Sequence, residues 1–197
     1  MRSSEERVRA GLRGIAAAVV SPHARRYARM GIAFSADEVF EMGMDIEQNG
    51  EAYYQKAAAL AKDAKVKAVF TDLMKQELVH YETFKALRDK LPPKASLPTV
   101  ADPESEEYLY LDALVKSRLF NNVHEAESLA AKVGDEIEAL RAALTFEKDT
   151  VLFFQTMKSM TDERLGRADI DRLIEEEHKH IVRIAAAIKE ASGRSSR

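Results

Sequence analysis

The stretch KQELVHYETF, residues 75–84, decides the fold. It lies in a run whose apolar positions, Val66, Phe70, Leu73, Met74, Tyr81, Phe84 and Leu87, recur every three or four residues. That period is one face of a helix. Glu77 and His80 occupy the same face, in register with the apolar residues on either side. A carboxylate and an imidazole therefore interrupt a stripe built for burial.

The same interruption recurs in three more helical runs. One stripe reads Phe40, Gly43, Met44, Glu47, Gly50, Tyr54, Ala57, Ala61, and a second reads Ile137, Leu140, Leu144, Glu147, Val151, Phe154. A third reads Ile170, Leu173, Glu177, His180, Ile181, Ile184, Ile188. Four helices each direct one Glu inward, and two of them add a His three residues later. One buried, unpaired carboxylate costs several kcal/mol, about as much as a whole domain's margin of stability, or shifts its pKa until it is neutral. Two His do not neutralise four Glu, but two dications do. Oxygen-rich ligation with one imidazole per ion suits iron or manganese better than a closed zinc site. One Glu from each of two helices and Glu-x-x-His from each of the other two is the donor set of di-iron carboxylate bundles. Residues i and i+3 share a face, so each Glu-x-x-His pair reaches the same side.

A lone Glu-x-x-His is weak, and the chain carries a decoy in Glu175 and His178. Their neighbours at helical spacing, Asp171, Val182 and Lys189, make a mostly polar face, so this pair is read as solvated. His23 and His124 fall outside the long helices and are read as surface residues. A buried polar network without metal is the alternative for the six inward residues.

With 46% hydrophobic and 32% charged residues and a net charge of -3, the chain offers no electrostatic case for nucleic acid or an anionic membrane. No apolar run is long enough to span a bilayer, and no transmembrane segment is expected. Cysteine is absent, which excludes disulfides, thiolate metal sites and a thiol nucleophile. A cytoplasmic location is expected.

Good helix formers dominate, and no alternating segment persists as a strand. Ser35, followed three residues later by Glu38, marks the first helix, which is expected to reach about residue 62. The others are expected over about 64–90, 135–160 and 167–191. Between the second and third lie more than 40 residues, with the Pro-rich LPPKASLP (91–98) and a shorter helical piece, SEEYLYLDALVKSRLF (105–120). The expected fold is all-α, a ferritin-like four-helix bundle over residues 34–192 with one long crossover between helices two and three. Residues 1–33 are expected to form a flexible basic extension. Within residues 1–30 seven Arg face two Glu, and Met30 could be the true start.

At these residues the chain resembles the rubrerythrin-like branch of the ferritin-like superfamily. The matching segments are MDIEQNGEAYYQKAA (44–58), VFTDLMKQELVHYETFKAL (69–87), ALRAALTFEKDTVLFFQTM (139–157) and IDRLIEEEHKHIVRI (170–184). The resemblance implies a non-haem di-iron site with Glu47, Glu77, His80, Glu147, Glu177 and His180 as ligands. It makes Glu77 and Glu177 bridging and Glu47 and Glu147 terminal, with manganese or a mixed pair as alternatives to iron. Tyr54 is a candidate for contact with a ligand. Two features depart from rubrerythrins proper. The four-Cys rubredoxin-like iron is missing, so electrons would come from an external donor protein. A second acidic residue one turn after Glu147 is replaced by Thr150, which brings the set closer to the ferroxidase centre of bacterioferritins; Asp149 points about 100° away.

The implied role is an oxidoreductase reducing peroxide or dioxygen, in oxidative-stress defence or iron handling, acting as a homodimer. Iron storage with ferroxidase activity on ferrous iron is the alternative. A di-iron hydroxylase of the ubiquinone-biosynthesis type and a metal-free helical adaptor are further readings.

Overall fold

Ser35 opens the first helix as expected: its hydroxyl accepts from the Glu38 backbone N–H while the Glu38 carboxylate returns to the Ser35 N–H at 3.0 Å. Side-chain caps start the next three helices too, with Asp63, Asn122 and Asp135 each accepting from a first-turn amide. The computed structural model describes residues 35–92, 121–161 and 163–195. Within them lie α1 (Ala36–Leu60), α2 (Ala64–Asp89), α3 (Val123–Lys132), α4 (Glu136–Met160) and α5 (Arg167–Ser195), with a 3₁₀ turn at Glu163–Leu165. No strand occurs among the described residues. The N-terminal extension and the helical piece expected over residues 105–120 lie outside them.

The long helices form two antiparallel hairpins, α1–α2 and α4–α5, each joined by a short link. Contacts at the ends set their arrangement. Arg88 at the end of α2 grips Asp37 at the start of α1 with two hydrogen bonds, at 2.7 and 3.2 Å. Lys65 at the start of α2 pairs with Glu190 near the end of α5. Tyr53 on α1 donates to the Ala139 carbonyl on α4 at 2.8 Å, and the Glu136 carboxylate accepts from the Asp63 amide at 2.7 Å. Every neighbouring pair of long helices is thus antiparallel, and α2 and α4 run the same way across the diagonal. A chain that leaves α2 at one end of the bundle and enters α4 at the other travels its whole length, the long crossover expected from the sequence.

Two boundaries differ from expectation. α3 was not anticipated. It packs on α1 through Ala126 and Ala130, and two alanines make too faint a stripe to read as amphipathic. α5 continues past Gly193 to Ser195. A glycine stops a helix when it adopts positive φ, and Gly166, at φ 101° before α5, is the glycine that does so among the described residues. No described helix is long and apolar enough to cross a membrane.

The core is layered. Phe40, Phe84, Phe153 and Phe154 fill the bundle toward the start of α1, with Phe84 and Phe154 edge to face at 5.0 Å. Tyr53, Tyr54, Phe70 and Phe146 fill it on the other side. Between these layers the interior is polar.

Candidate metal centre

Six charged or titratable side chains fill that middle layer, and each is at most 1% exposed: Glu47 from α1, Glu77 and His80 from α2, Glu147 from α4, Glu177 and His180 from α5. The helical period alone places them there, since each shares its face with residues of the two aromatic layers. They fall into two groups. Glu47, Glu77, His80 and Glu177 each offer one donor atom within 4.8 Å of the others, and so do Glu77, Glu147, Glu177 and His180. Donors on opposite sides of a cation with bonds of about 2.0–2.4 Å span about 4.0–4.8 Å. Glu77 and Glu177 belong to both groups, and the two imidazoles lie stacked at 5.4 Å.

The donor atoms face one another and nothing else: both oxygens of Glu47, Glu77 and Glu177, one of Glu147, and Nδ1 of both His are buried with no partner outside the layer. Buried polar atoms in folded proteins are almost always paired. Such atoms concentrated in one layer, facing one another, have the chemistry of a two-cation site.

Without cations the protons arrange themselves unevenly. Burial pushes Glu47, Glu77 and Glu147 well above the usual carboxylate range, and like charges in the layer reinforce this. Burial also raises Glu177, but contacts with His180 and His80 override it and hold Glu177 well below that range. Its oxygens lie 2.8 Å from His80 Nδ1 and 2.9 Å from His180 Nδ1. In return burial lowers His80, and the facing Glu177 overrides that and pushes it up to about 9; His180 is raised for the same kind of reason. Four equally raised carboxylates are what mutual repulsion alone would give, and Glu177 departs from this because both Nδ1 atoms lie against its oxygens.

The outward nitrogens are held by residues the sequence reading passed over. His80 Nε2 on α2 reaches Glu176 on α5 at 2.8 Å, and His180 Nε2 on α5 reaches Gln76 Oε1 on α2 at 3.0 Å. Gln76 donates its amide to Asp72 at 2.7 Å, which aims its oxygen at the ring, and Asp72 pairs with Arg183. With acceptors at both Nε2 atoms, a neutral imidazole keeps its proton there and turns its Nδ1 lone pair inward. The available signal was a repeat: an acceptor-bearing residue precedes the Glu in Gln76-Glu77-x-x-His80 and again in Glu176-Glu177-x-x-His180.

Tyr54 donates to Glu147 Oε1 at 2.5 Å, and burial first, then the Glu147 charge, raises its phenol well above the usual range. Glu175, His178 and His124 are exposed, as the sequence reading expected, and Asp149 is half-buried. Glu175→Ala and His178→Ala are therefore expected to leave metal content unchanged, whereas Glu176→Ala is expected to lower metal affinity about 10–100-fold. Metal analysis of the three purified variants checks the helical register directly.

Gly50 makes room for the site. A Cβ there would lie 2.8 Å from the Phe146 ring and 2.9 Å from Glu77 Oε2. Alanine normally favours a helix by about 1 kcal/mol over glycine. Here the expected result of Gly50→Ala is the reverse: a stability loss of about 1–3 kcal/mol from overpacking, and weaker metal binding as the Glu77 carboxylate is displaced. Thermal unfolding with metal analysis tests both.

No protein-family model and no curated protein matches the chain. A solved structure does: a protein from Thermotoga maritima described as a ferritin-like diiron-carboxylate protein. The two superpose with a TM-score of 0.58 at 16% identity, over 80% of this chain and 96% of that one. The fold is ferritin-like. On this fold the buried Glu/His layer is a candidate carboxylate–imidazole metal site.

Proposed function

We propose that this chain is a rubrerythrin-like non-haem di-iron protein that reduces peroxide or dioxygen with electrons from an external donor. The observation that carries the reading is the buried layer of carboxylate and imidazole atoms that face one another in two overlapping groups. Glu47 and His80 would hold one ion and Glu147 and His180 the other, with Glu77 and Glu177, common to both groups, serving each. An iron pair held by these residues would supply two-electron redox chemistry toward the oxidant, with an external donor restoring the electrons. The remaining work belongs to the chain. Four carboxylates balance two dications. Glu176 and Gln76 hold the imidazoles with Nδ1 inward, and Tyr54 orients Glu147. The aromatic layers on either side exclude water and keep the local dielectric low.

The symmetric six-residue set favours one second reading, iron storage with ferroxidase activity. A cytoplasmic homodimer is proposed with either role. The test begins with metal analysis of protein purified without chelators. The reduced protein is then mixed separately with hydrogen peroxide and dioxygen, with a reductant supplied. Two ions per chain and repeated peroxide turnover support the first reading. Oxidation of added ferrous iron with retention of the product, and no turnover, supports the second. A full-length chain that takes up no metal overturns both.

A further inference from the structure

The six inward residues repeat from one helical hairpin to the other. Glu47, Glu77 and His80 on α1 and α2 correspond to Glu147, Glu177 and His180 on α4 and α5. Their surroundings do not repeat. Behind His80, the ring Nε2 meets the Glu176 carboxylate at 2.8 Å, and among the described residues no Lys or Arg pairs with that carboxylate. Behind His180, Nε2 meets the neutral Gln76 amide oxygen at 3.0 Å. The charge there lies one residue further out, on Asp72, where Arg183 offsets it. One imidazole is backed by a carboxylate, and the other by an amide and a closed ion pair.

The two unshared carboxylates differ as well. Tyr54, seven residues after Glu47, crosses to Glu147 and donates its phenol to Oε1. Seven residues after Glu147 stands Phe154, which has no hydroxyl to return. Both Glu47 oxygens have no partner outside the layer, while one Glu147 oxygen is already an acceptor.

These differences act in one direction. An Nε2–H that donates to a carboxylate puts more negative charge on its ring than one that donates to an amide, and so makes Nδ1 the stronger ligand. A carboxylate that already accepts a phenol proton has less charge to offer a cation. The two effects come from different helices and different bonds, and both favour the same group of donors.

We propose that the two cation positions are unequal, that the Glu47–His80 position holds its ion more tightly, and that Glu176 and Gln76 are the positioning residues that set this order. This rests on the two-cation reading. The ion at the Glu147–His180 position is then the exchangeable one.

The test is titration of the metal-free, full-length chain with cobalt(II), whose visible bands report each ion as it binds. The parent is expected to bind in two steps. Glu176→Gln keeps the hydrogen bond and removes the charge, and is expected to weaken the first step about 5–10-fold without moving the second. Gln76→Glu combined with Asp72→Asn moves the existing charge one residue inward at constant total charge. It keeps the bond between the two side chains with its direction reversed. This exchange is expected to tighten the second step by about the same factor, a gain that a merely structural role for Gln76 would not give. Single-position variants assign the steps: Glu147→Ala is expected to take up one ion at least about 5-fold more tightly than Glu47→Ala.

Equal affinities in those two variants, or the reverse order, overturn the proposal and leave the metal reading standing. Equal movement of both steps in Glu176→Gln or in the exchange overturns it too, because the outer partners then support the whole layer alike. Where a single-position variant takes up no ion, the full-chain titrations decide, and steps that fail to converge there overturn the proposal. A parent that takes up no metal overturns both readings.

Discussion

Glu77→Ala and Glu177→Ala should both abolish metal loading, yet have opposite effects on the metal-free protein. Each carboxylate belongs to both donor groups, so removing either takes a shared ligand from two cations at once. The loss of affinity should exceed the roughly 10–100-fold that follows removal of an outer partner. Without metal the two residues differ. Burial pushes Glu77 well above the usual carboxylate range, and alanine there removes a buried acid whose neighbours are the other acids of the layer and His180. Glu177 is the anion between two imidazolium rings, at 2.8 and 2.9 Å. Glu177→Ala removes the carboxylate that keeps His80 protonated and leaves both Nδ1 atoms without their nearest acceptor, and breaking a buried pair from one side costs about 3–5 kcal/mol. Metal analysis and chemical denaturation of both variants, with and without chelator, check this. A full pair of ions in either variant would overturn the shared role. Equal metal-free stabilities would show that Glu177 is not the ionised member of the cluster.

Chelation should lower the unfolding midpoint by about 10 °C or more at neutral pH, and by less in mild acid. Each site at a hundredfold excess of metal over Kd adds about 2.7 kcal/mol, and a chain of this size shifts by about 2–4 °C per kcal/mol. The pH dependence follows from the proton arrangement. Glu47, Glu77 and Glu147 have raised folded values. Below the unfolded carboxylate pKa of about 4.3 they are neutral in both states and carry no penalty. As pH rises past that value the unfolded chain ionises and the metal-free fold resists, so its stability falls. His80 is also raised, so its contribution is full below the unfolded value of about 6.5 and is lost as pH rises through about 9. Glu177 is depressed, so its contribution is present above the unfolded carboxylate value and is lost only as pH falls through its low folded one. Metal binding displaces the protons from the three neutral carboxyls and both imidazoles, so affinity rises with pH across the same window. Unfolding midpoints of loaded and chelated protein should therefore diverge steadily from about pH 5 to about pH 9. Release of protons into a weakly buffered indicator solution on loading is the second readout. Coincident midpoints at neutral pH would count against a carboxylate cluster neutralised by metal.

The four long helices and the six inward residues were legible because burial and chemistry share one period. A Glu that keeps the three-and-four spacing of Phe70, Leu73 and Phe84 goes where they go, whatever its charge. The decoy pair Glu175 and His178 was legible by the same rule, from the polar face around it. α3 was not, because Ala126 and Ala130 bury almost no apolar area and tell little from alanines at the surface. The run of α5 through Gly193 was not, because a glycine permits a stop without requiring one.

By itself, the sequence determined which residues face inward and that four carboxylates and two imidazoles share an interior. Those are properties of single helices, set by periodicity along the chain. Only the tertiary structure decided what each inward group meets. Glu176 and Gln76 became imidazole partners because α2 and α5 pack antiparallel with their ligand pairs at one level. Glu177 became the anion among neutral acids because both imidazoles converge on it, and Thr150 was left with an idle hydroxyl. Hydrogen bonds and proton positions depend on distances of a few ångströms between helices, and no period along one chain carries that information.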